Sequence, residues 1–148
     1  MKDTRGFFVL PQAPEGAGYY TYGTPRNGAG QYADPKLMSL ILSVEHDWLA
    51  LDRRKFGVGN ISLANGSHFK PHRTHDNGLA VDIRPLRKDG RQQPVSRFDA
   101  QYDREATSTL IALFCKGAFF KLAYFNDIEI PGVRYCKDHD DHFHIELV

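Results

Sequence analysis

The sequence predicts an α+β domain in which helices pack on one face of a small antiparallel sheet. Three observations carry this. Apolar residues recur at helical spacing near 35–55 and 104–116. Several shorter segments alternate apolar and polar residues in the manner of half-buried strands. Two of those strands set histidine or aspartate opposite their apolar row, leaving a polar sheet face free for chemistry.

The chain has 148 residues, which suits a single domain over 1–148. Residues 1–33 read as a loop-rich N-terminal segment and about 34–148 as the core. Residues 11–34 are rich in Gly, Pro, Tyr and Asn, giving loop with short extended pieces. Asp34 is a suitable N-cap and Pro35 a suitable first helical residue. Leu37, Leu40, Ile41, Val44, Trp48 and Leu51 then follow at helical spacing. Arg53, Arg54 and Lys55 suit the C-terminal end, with Gly57 as the stop. Residues 58–64 read as a strand, 65–77 as a loop, and 79–83 as a second strand ended by Pro85. Residues 86–102 are polar and read as a long loop. Asp103 caps a second helix over about 104–116, with Ala106, Leu110, Ile111, Phe114 and Cys115 facing inward. Residues 119–125 and 142–147 complete the strands.

Composition narrows the function. Hydrophobic residues make up 41% and charged residues 25%, so neither disorder nor a collagen-like state is the main form. Lys+Arg total 19 and Asp+Glu 18, a balance that argues against nucleic acid as partner. No window is apolar enough for a transmembrane segment. The first residues do not lead into the apolar core of a signal peptide, so synthesis in the cytoplasm without one is expected. Cys115 and Cys136 allow one disulfide without requiring it, and Cys115 reads as a buried free thiol.

Six of the seven histidines fall in two short stretches, and these hold the candidate site. The first runs His72-Arg73-Thr74-His75-Asp76-Asn77-Gly78-Leu79-Ala80-Val81-Asp82. The second runs His139-Asp140-Asp141-His142-Phe143-His144-Ile145-Glu146. On a strand, His142, His144 and Glu146 share one face while Phe143, Ile145 and Leu147 share the other. Asp82 likewise lies opposite Leu79, Val81 and Ile83. If the two strands are neighbours with apolar faces down, Asp82 and His144 converge, and His75 joins them from the preceding loop. Gly78 would permit the tight backbone between His75 and Asp82. Two imidazoles and a carboxylate suit one Zn2+ per chain, with a fourth position left for water. Lone histidines are usually surface or core residues, but two clusters attached to half-apolar strands are not incidental.

The spacing His75-x6-Asp82 with a later His142-x-His144 resembles the signature of the LAS metallopeptidases. The closer resemblance is to the penicillin-insensitive murein endopeptidases. They share His72 three residues before the first ligand, the run Gly78-Leu79-x-Val81-Asp82-Ile83, the ending His139-x-x-His142-x-His144, and an upstream Gly23-Thr24-Pro25. The resemblance spans about 22–147. It implies zinc held by His75, Asp82 and His144, and hydrolysis of peptidoglycan cross-links between stem peptides at the D-alanyl–diaminopimelate bond. It offers three candidates for the general base, ranked His142, His139, Asp141. His72, Arg73 and Arg84 become candidates for binding the peptidoglycan peptide substrate. The aromatic stretch Tyr19, Tyr20, Tyr22 and Tyr32 can wall a groove or pack over the sheet.

The chain is shorter than those enzymes and lacks their signal peptide and additional cysteines. A phage lysin, or a toxin with delivery machinery and a cognate immunity protein, fits these departures; either would act in the periplasm or on the cell wall. The alternatives are an L-alanyl–D-glutamate peptidase or D,D-carboxypeptidase of the same group, or a non-enzymatic zinc module.

Overall fold

The computed structural model describes residues 1–12 and 14–148. Its order is β1 (Phe8–Val9), β2 (Tyr19–Thr21), β3 (Tyr32–Ala33), α1 (Pro35–Leu49), β4 (Phe56–Val58), β5 (Ala80–Ile83), α2 (Arg104–Cys115), β6 (Phe120–Tyr124) and β7 (Phe143–Leu147). A short 3-10 turn occupies Ala64–Gly66. The main sheet has five strands in the order β2-β4-β5-β7-β6, and β1 pairs with β3 in a separate ribbon. The α+β class holds.

The main sheet is not wholly antiparallel. β2 pairs in parallel with β4, while the other pairs are antiparallel. Parallel neighbours need a long crossover, and the chain between β2 and β4 contains α1. The N-terminal segment, read as loop with extended pieces, thus supplies an edge strand of the main sheet.

α1 begins as its sequence dictates. The Asp34 carboxylate accepts the Lys36 N–H at 2.8 Å, and Pro35 fills the first helical position. The helix stops at Leu49, one and a half turns before the expected 55. Beyond it, Asp52 accepts the Arg54 N–H and pairs with the Arg54 guanidinium at 2.7 Å. Arg54 also donates to Asp103 at 2.8 Å and to the Arg87 carbonyl, while the Trp48 indole N–H donates to the Arg54 carbonyl. These tertiary partners hold 52–54 in a turn. Leu51, expected on the inner helix face, is consequently exposed.

β4 starts at Phe56, two residues before the expected 58, because Phe56 N–H donates to the Gly18 carbonyl alongside β2. The chain leaves regular strand geometry after Val58, so 59–64 is mostly irregular. α2 follows expectation: Asp103 accepts the Ala106 N–H at 3.0 Å. Its buried face is Ala106, Thr107, Leu110, Ile111 and Phe114; Cys115 is only half-buried, being at the last turn, and both cysteines are free. Residues 86–102 form a long connection closed by Lys88 N–H to the Gln101 carbonyl. No described helix is long and apolar enough to cross a membrane.

Leu37, Ile41, Val44 and Trp48 of α1 and Leu110, Ile111 and Phe114 of α2 share one core with Val81, Ile83, Phe143 and Ile145 of the sheet. Edge-on aromatic contacts run through it: Trp48 on Phe56, Phe56 on Phe114 at 6.0 Å, Phe114 on Phe143 at 6.1 Å. Phe114 is fully buried between two of these rings. Phe114→Ala is expected to cost about 3–5 kcal/mol by cavity formation. Urea unfolding would measure it, and a loss below about 1 kcal/mol would show that the core collapses around the gap.

Candidate metal centre

The β5–β7 register builds the centre. Val81 pairs with Ile145 and Ile83 with Phe143 on the core side; Asp82 lies opposite His144 on the other. His75 arrives from the loop before β5. That loop turns back through Gly78 at φ 73°, where a Cβ would strike the Asp34 nitrogen and the Phe7 ring. Only glycine tolerates both the dihedral and the contact. His75, Asp82 and His144 are buried at 3%, 8% and 4% exposure, so the polar groups must satisfy one another.

They do so around a single oxygen. Asp82 Oδ1 lies 3.2 Å from His75 Nε2 and 3.2 Å from His144 Nδ1. The far nitrogens also have acceptors. His75 Nδ1 donates to the Ile61 carbonyl at 2.9 Å, and His144 Nε2 faces the Glu146 carboxylate at 3.5 Å. The inward nitrogens meet Asp82 as hydrogen-bond donors, and the acceptor behind each imidazole can take its N–H when a cation displaces the inward proton, the usual support of a ligating histidine. Tetrahedral coordination with bonds of about 2.0–2.1 Å separates neighbouring donors by about 3.3 Å. The two 3.2 Å distances at Asp82 match that spacing.

His72 stands beside this set. Donor atoms of His72, His75 and Asp82 lie within 4.8 Å of one another, a group that could hold a metal ion. The His72 and His75 rings are 4.4 Å apart. Asn60 constrains His72, however. Asn60 Oδ1 accepts the Thr24 N–H at 2.8 Å, which orients its amide nitrogen towards His72 Nε2, also at 2.8 Å. Neutral His72 therefore accepts at Nε2 and carries its proton on Nδ1. As a ligand it would have to give up one of these arrangements, whereas His75 and His144 would each exchange the proton shared with Asp82 for the cation.

The second histidine stretch closes the other side. The His139 ring lies 4.6 Å from His142 and 6.1 Å from His144, with Tyr124 against both His139 and His144. His142 Nδ1 donates to Asp141 Oδ1 at 2.8 Å, and His139 Nδ1 to the Lys137 carbonyl at 2.9 Å. β7 begins at Phe143, one residue after the expected 142, so Asp141 and His142 belong to the preceding bend. That bend is anchored: Arg97 and Asn126 both donate to Asp140 Oδ1, and the Asn126 N–H donates to the His139 carbonyl.

Of the remaining candidates, Arg84 is half-buried and stacks on the Tyr22 ring at 3.9 Å. Arg73 is exposed, with no ion pair among the described residues. Sequence reasoning did not single out Asn60, Tyr124, Asn126 or Arg97. Nothing in their local spacing marks them; each matters through a partner far along the chain.

Electrostatics follow from the burial. Desolvation alone would raise Asp82, but hydrogen bonds to His144 and His75 outweigh it and hold the carboxyl far below its ordinary range. Burial works against charge on His75 as well, yet the Asp82 hydrogen bond wins and its pKa is raised. His72 and His139 are shifted down, chiefly by desolvation, so both are neutral at pH 7.

No protein-family model matches this chain. No curated protein matches it in sequence.

These shifts give a signed expectation. A raised folded-state pKa contributes stability below the unfolded value and loses it as pH rises through the folded value. Metal-free protein should therefore lose stability as pH rises above 6.5, the ordinary value for His75. His72 and His139 act oppositely, and only below 6.5. Thermal melts between pH 6.5 and about 8 would read His75, and His75→Gln should flatten the slope. An unchanged slope in H75Q would remove His75 as its source. Since a ligand imidazole must be unprotonated, stabilisation by added metal should grow across the same window.

Proposed function

We propose that this chain is a zinc-dependent murein endopeptidase that hydrolyses peptide cross-links between stem peptides, at the D-alanyl–diaminopimelate amide. The observation that carries the reading is the centre itself: Asp82 shared by His75 and His144, flanked by two further imidazoles with unprotonated nitrogens. The sequence resemblance to the penicillin-insensitive murein endopeptidases adds the substrate class.

His75, Asp82 and His144 would hold the ion, their two nitrogens and one oxygen suiting zinc. Zinc supplies Lewis-acid polarisation of the scissile carbonyl and acidifies water. The remaining work falls to the chain's own groups. His142 donates its Nδ1–H to Asp141, which leaves the Nε2 lone pair free to take a proton from the attacking water. As the C–N bond breaks, the same imidazolium returns that proton to the leaving amine. Asp141 thus serves as the orienting partner of His142 and stabilises its charged form. His139, neutral and packed on His142, shields that side of the centre from water. His72, held by Asn60, presents Nδ1–H as a donor for a substrate carbonyl.

A non-enzymatic zinc module would need only the ligands and their supports. Asp141 behind His142 and the anchored 139–142 bend have no role in such a module.

Two expectations test the reading. Purified protein loaded with zinc should convert cross-linked muropeptide dimers into monomers, detected by mass spectrometry, without release of terminal D-Ala; chelator should abolish the conversion. Intact dimers in the presence of stoichiometrically bound zinc would sink it, and loss of D-Ala would indicate a carboxypeptidase. His142→Ala should keep its zinc while turnover falls about 10²–10⁴-fold. Near-normal turnover would exclude His142 as the base.

A further inference from the structure

Gly57 of β4 and Gly59 just after it are both glycine on the site-facing side, and two tyrosine rings occupy the space. A Cβ on Gly57 would meet the Tyr20 ring at 2.8 Å, and one on Gly59 the Tyr22 ring at 2.5 Å. The rings of β2 and the residue after it therefore lie flat across β4 and reach towards β5. The next site-facing residue after Asp82 is Arg84, immediately beyond the end of β5 and about 6.5–7 Å further along an extended chain. Arg84 is held in line by its N–H donating to the Gly57 carbonyl at 3.0 Å. Its guanidinium stacks on Tyr22 at 3.9 Å, and among the described residues no carboxylate lies within ion-pair distance of it.

A half-buried guanidinium with no anionic partner, fixed on an aromatic ring beside a candidate metal centre, is a binding group awaiting an anion. Arginine on an aromatic face is pre-organised, so little side-chain entropy is lost when its planar donors meet a carboxylate. We infer that Arg84, supported by Tyr22 over Gly59, is the subsite that receives a substrate carboxylate located within a few bonds of the scissile amide. The inference rests on the endopeptidase reading for its substrate. In a D-alanyl–diaminopimelate cross-link, the carbon bonded to the scissile nitrogen bears a free carboxylate, which is an anion at the required distance. Tyr22 is a positioning residue here: its ring holds the guanidinium, and its hydroxyl is not required.

The test compares free acid with amide. Zinc-loaded protein would be given cross-linked dimers with the free diaminopimelyl carboxylate and dimers amidated there. The acid should be favoured by about tenfold or more in kcat/KM, the scale of a charge-assisted bidentate contact. Arg84→Gln should remove that preference mainly through KM on the acid, with a much smaller change in KM for the amidated dimer. Tyr22→Phe should keep the preference, and Tyr22→Leu should weaken it. Equal cleavage of acid and amide by the wild type, or a preference retained in R84Q, overturns the subsite. A purely structural stack would lower the melting temperature of R84Q and Y22L without changing the discrimination. Calorimetric titration with a stem tetrapeptide and its amide separates the two proposals. If no dimer is cut, the endopeptidase reading fails, while tighter binding of the acid, lost in R84Q, still supports the subsite.

Discussion

A carboxylate buried between two imidazoles is the constraint on which this structure depends. Asp82 has 8% of its surface exposed, and an isolated charge at such a site would cost several kcal/mol. The cost is offset only while His75 and His144 both reach Oδ1. That requirement fixes the register of β5 against β7, since a slip of one residue would turn Asp82 into the aromatic core and bring Ile83 to the polar face. It also fixes the 72–79 loop, whose reversal at Gly78 delivers His75. The same geometry brings an imidazole nitrogen to 3.2 Å on either side of the Asp82 oxygen. On the proposed reading, stability and metal binding draw on one arrangement, with a cation replacing the protons that His75 and His144 share with Asp82.

The opposite face of the sheet explains why so small a domain can keep such a centre. Two helices and a run of edge-packed aromatic rings cover it, so the β5–β7 pair is clamped from below. Above, the 139–142 bend is not left to its own flexibility. Arg97 from the long 86–102 connection and Asn126 from the loop after β6 converge on Asp140, and Asn126 also takes the Cys136 N–H. A connection that looks like simple loop in sequence is thus a strut for the second histidine stretch. Burying the functional groups on strands and anchoring the one bend among them keeps the imidazoles in place without a large core.

How far this was legible in the sequence depends on the range over which each signal acts. The face alternation of 79–83 and 142–147 is local and strict, so the polar faces of Asp82 and His144 could be read from period. Their meeting rested on the assumption that the two strands are neighbours, which the β5–β7 pairing bears out. The caps Asp34 and Asp103 are equally local. The end of α1 is not: Arg53, Arg54 and Lys55 favour continuation, but Arg54 finds Asp52, Asp103 and the Arg87 carbonyl, and those contacts outweigh propensity. β2 was hidden because three residues of edge strand carry no period, and its parallel partner lies beyond a helix. Asn60 was hidden for a similar reason, since its bonds to Thr24 and His72 span the chain. The resemblance implies a substrate role for His72, and its place in the donor group is revealed only by the folded loop.

The surplus of imidazoles is what favours the proposed catalytic centre over a merely structural one. Structural zinc sites close their shell with four protein ligands and need no unprotonated base beside it. Here His75 and His144 already have acceptors behind them, and His139 and His142 add two more rings whose outward nitrogens are satisfied by Lys137 and Asp141. Desolvation holds His139 neutral, so burying it has a cost that coordination by the first set does not offset. Half-buried imidazoles kept in one tautomer, on one open side of a carboxylate-centred donor set, have a clear use in moving a proton at the edge of that centre. Arg84, without an ion pair among the described residues, directly follows the strand that carries Asp82. On the proposed reading, metal donor and anion-binding group then follow one another along the chain, an order that suits an extended peptide laid along β5 with its scissile amide over Asp82.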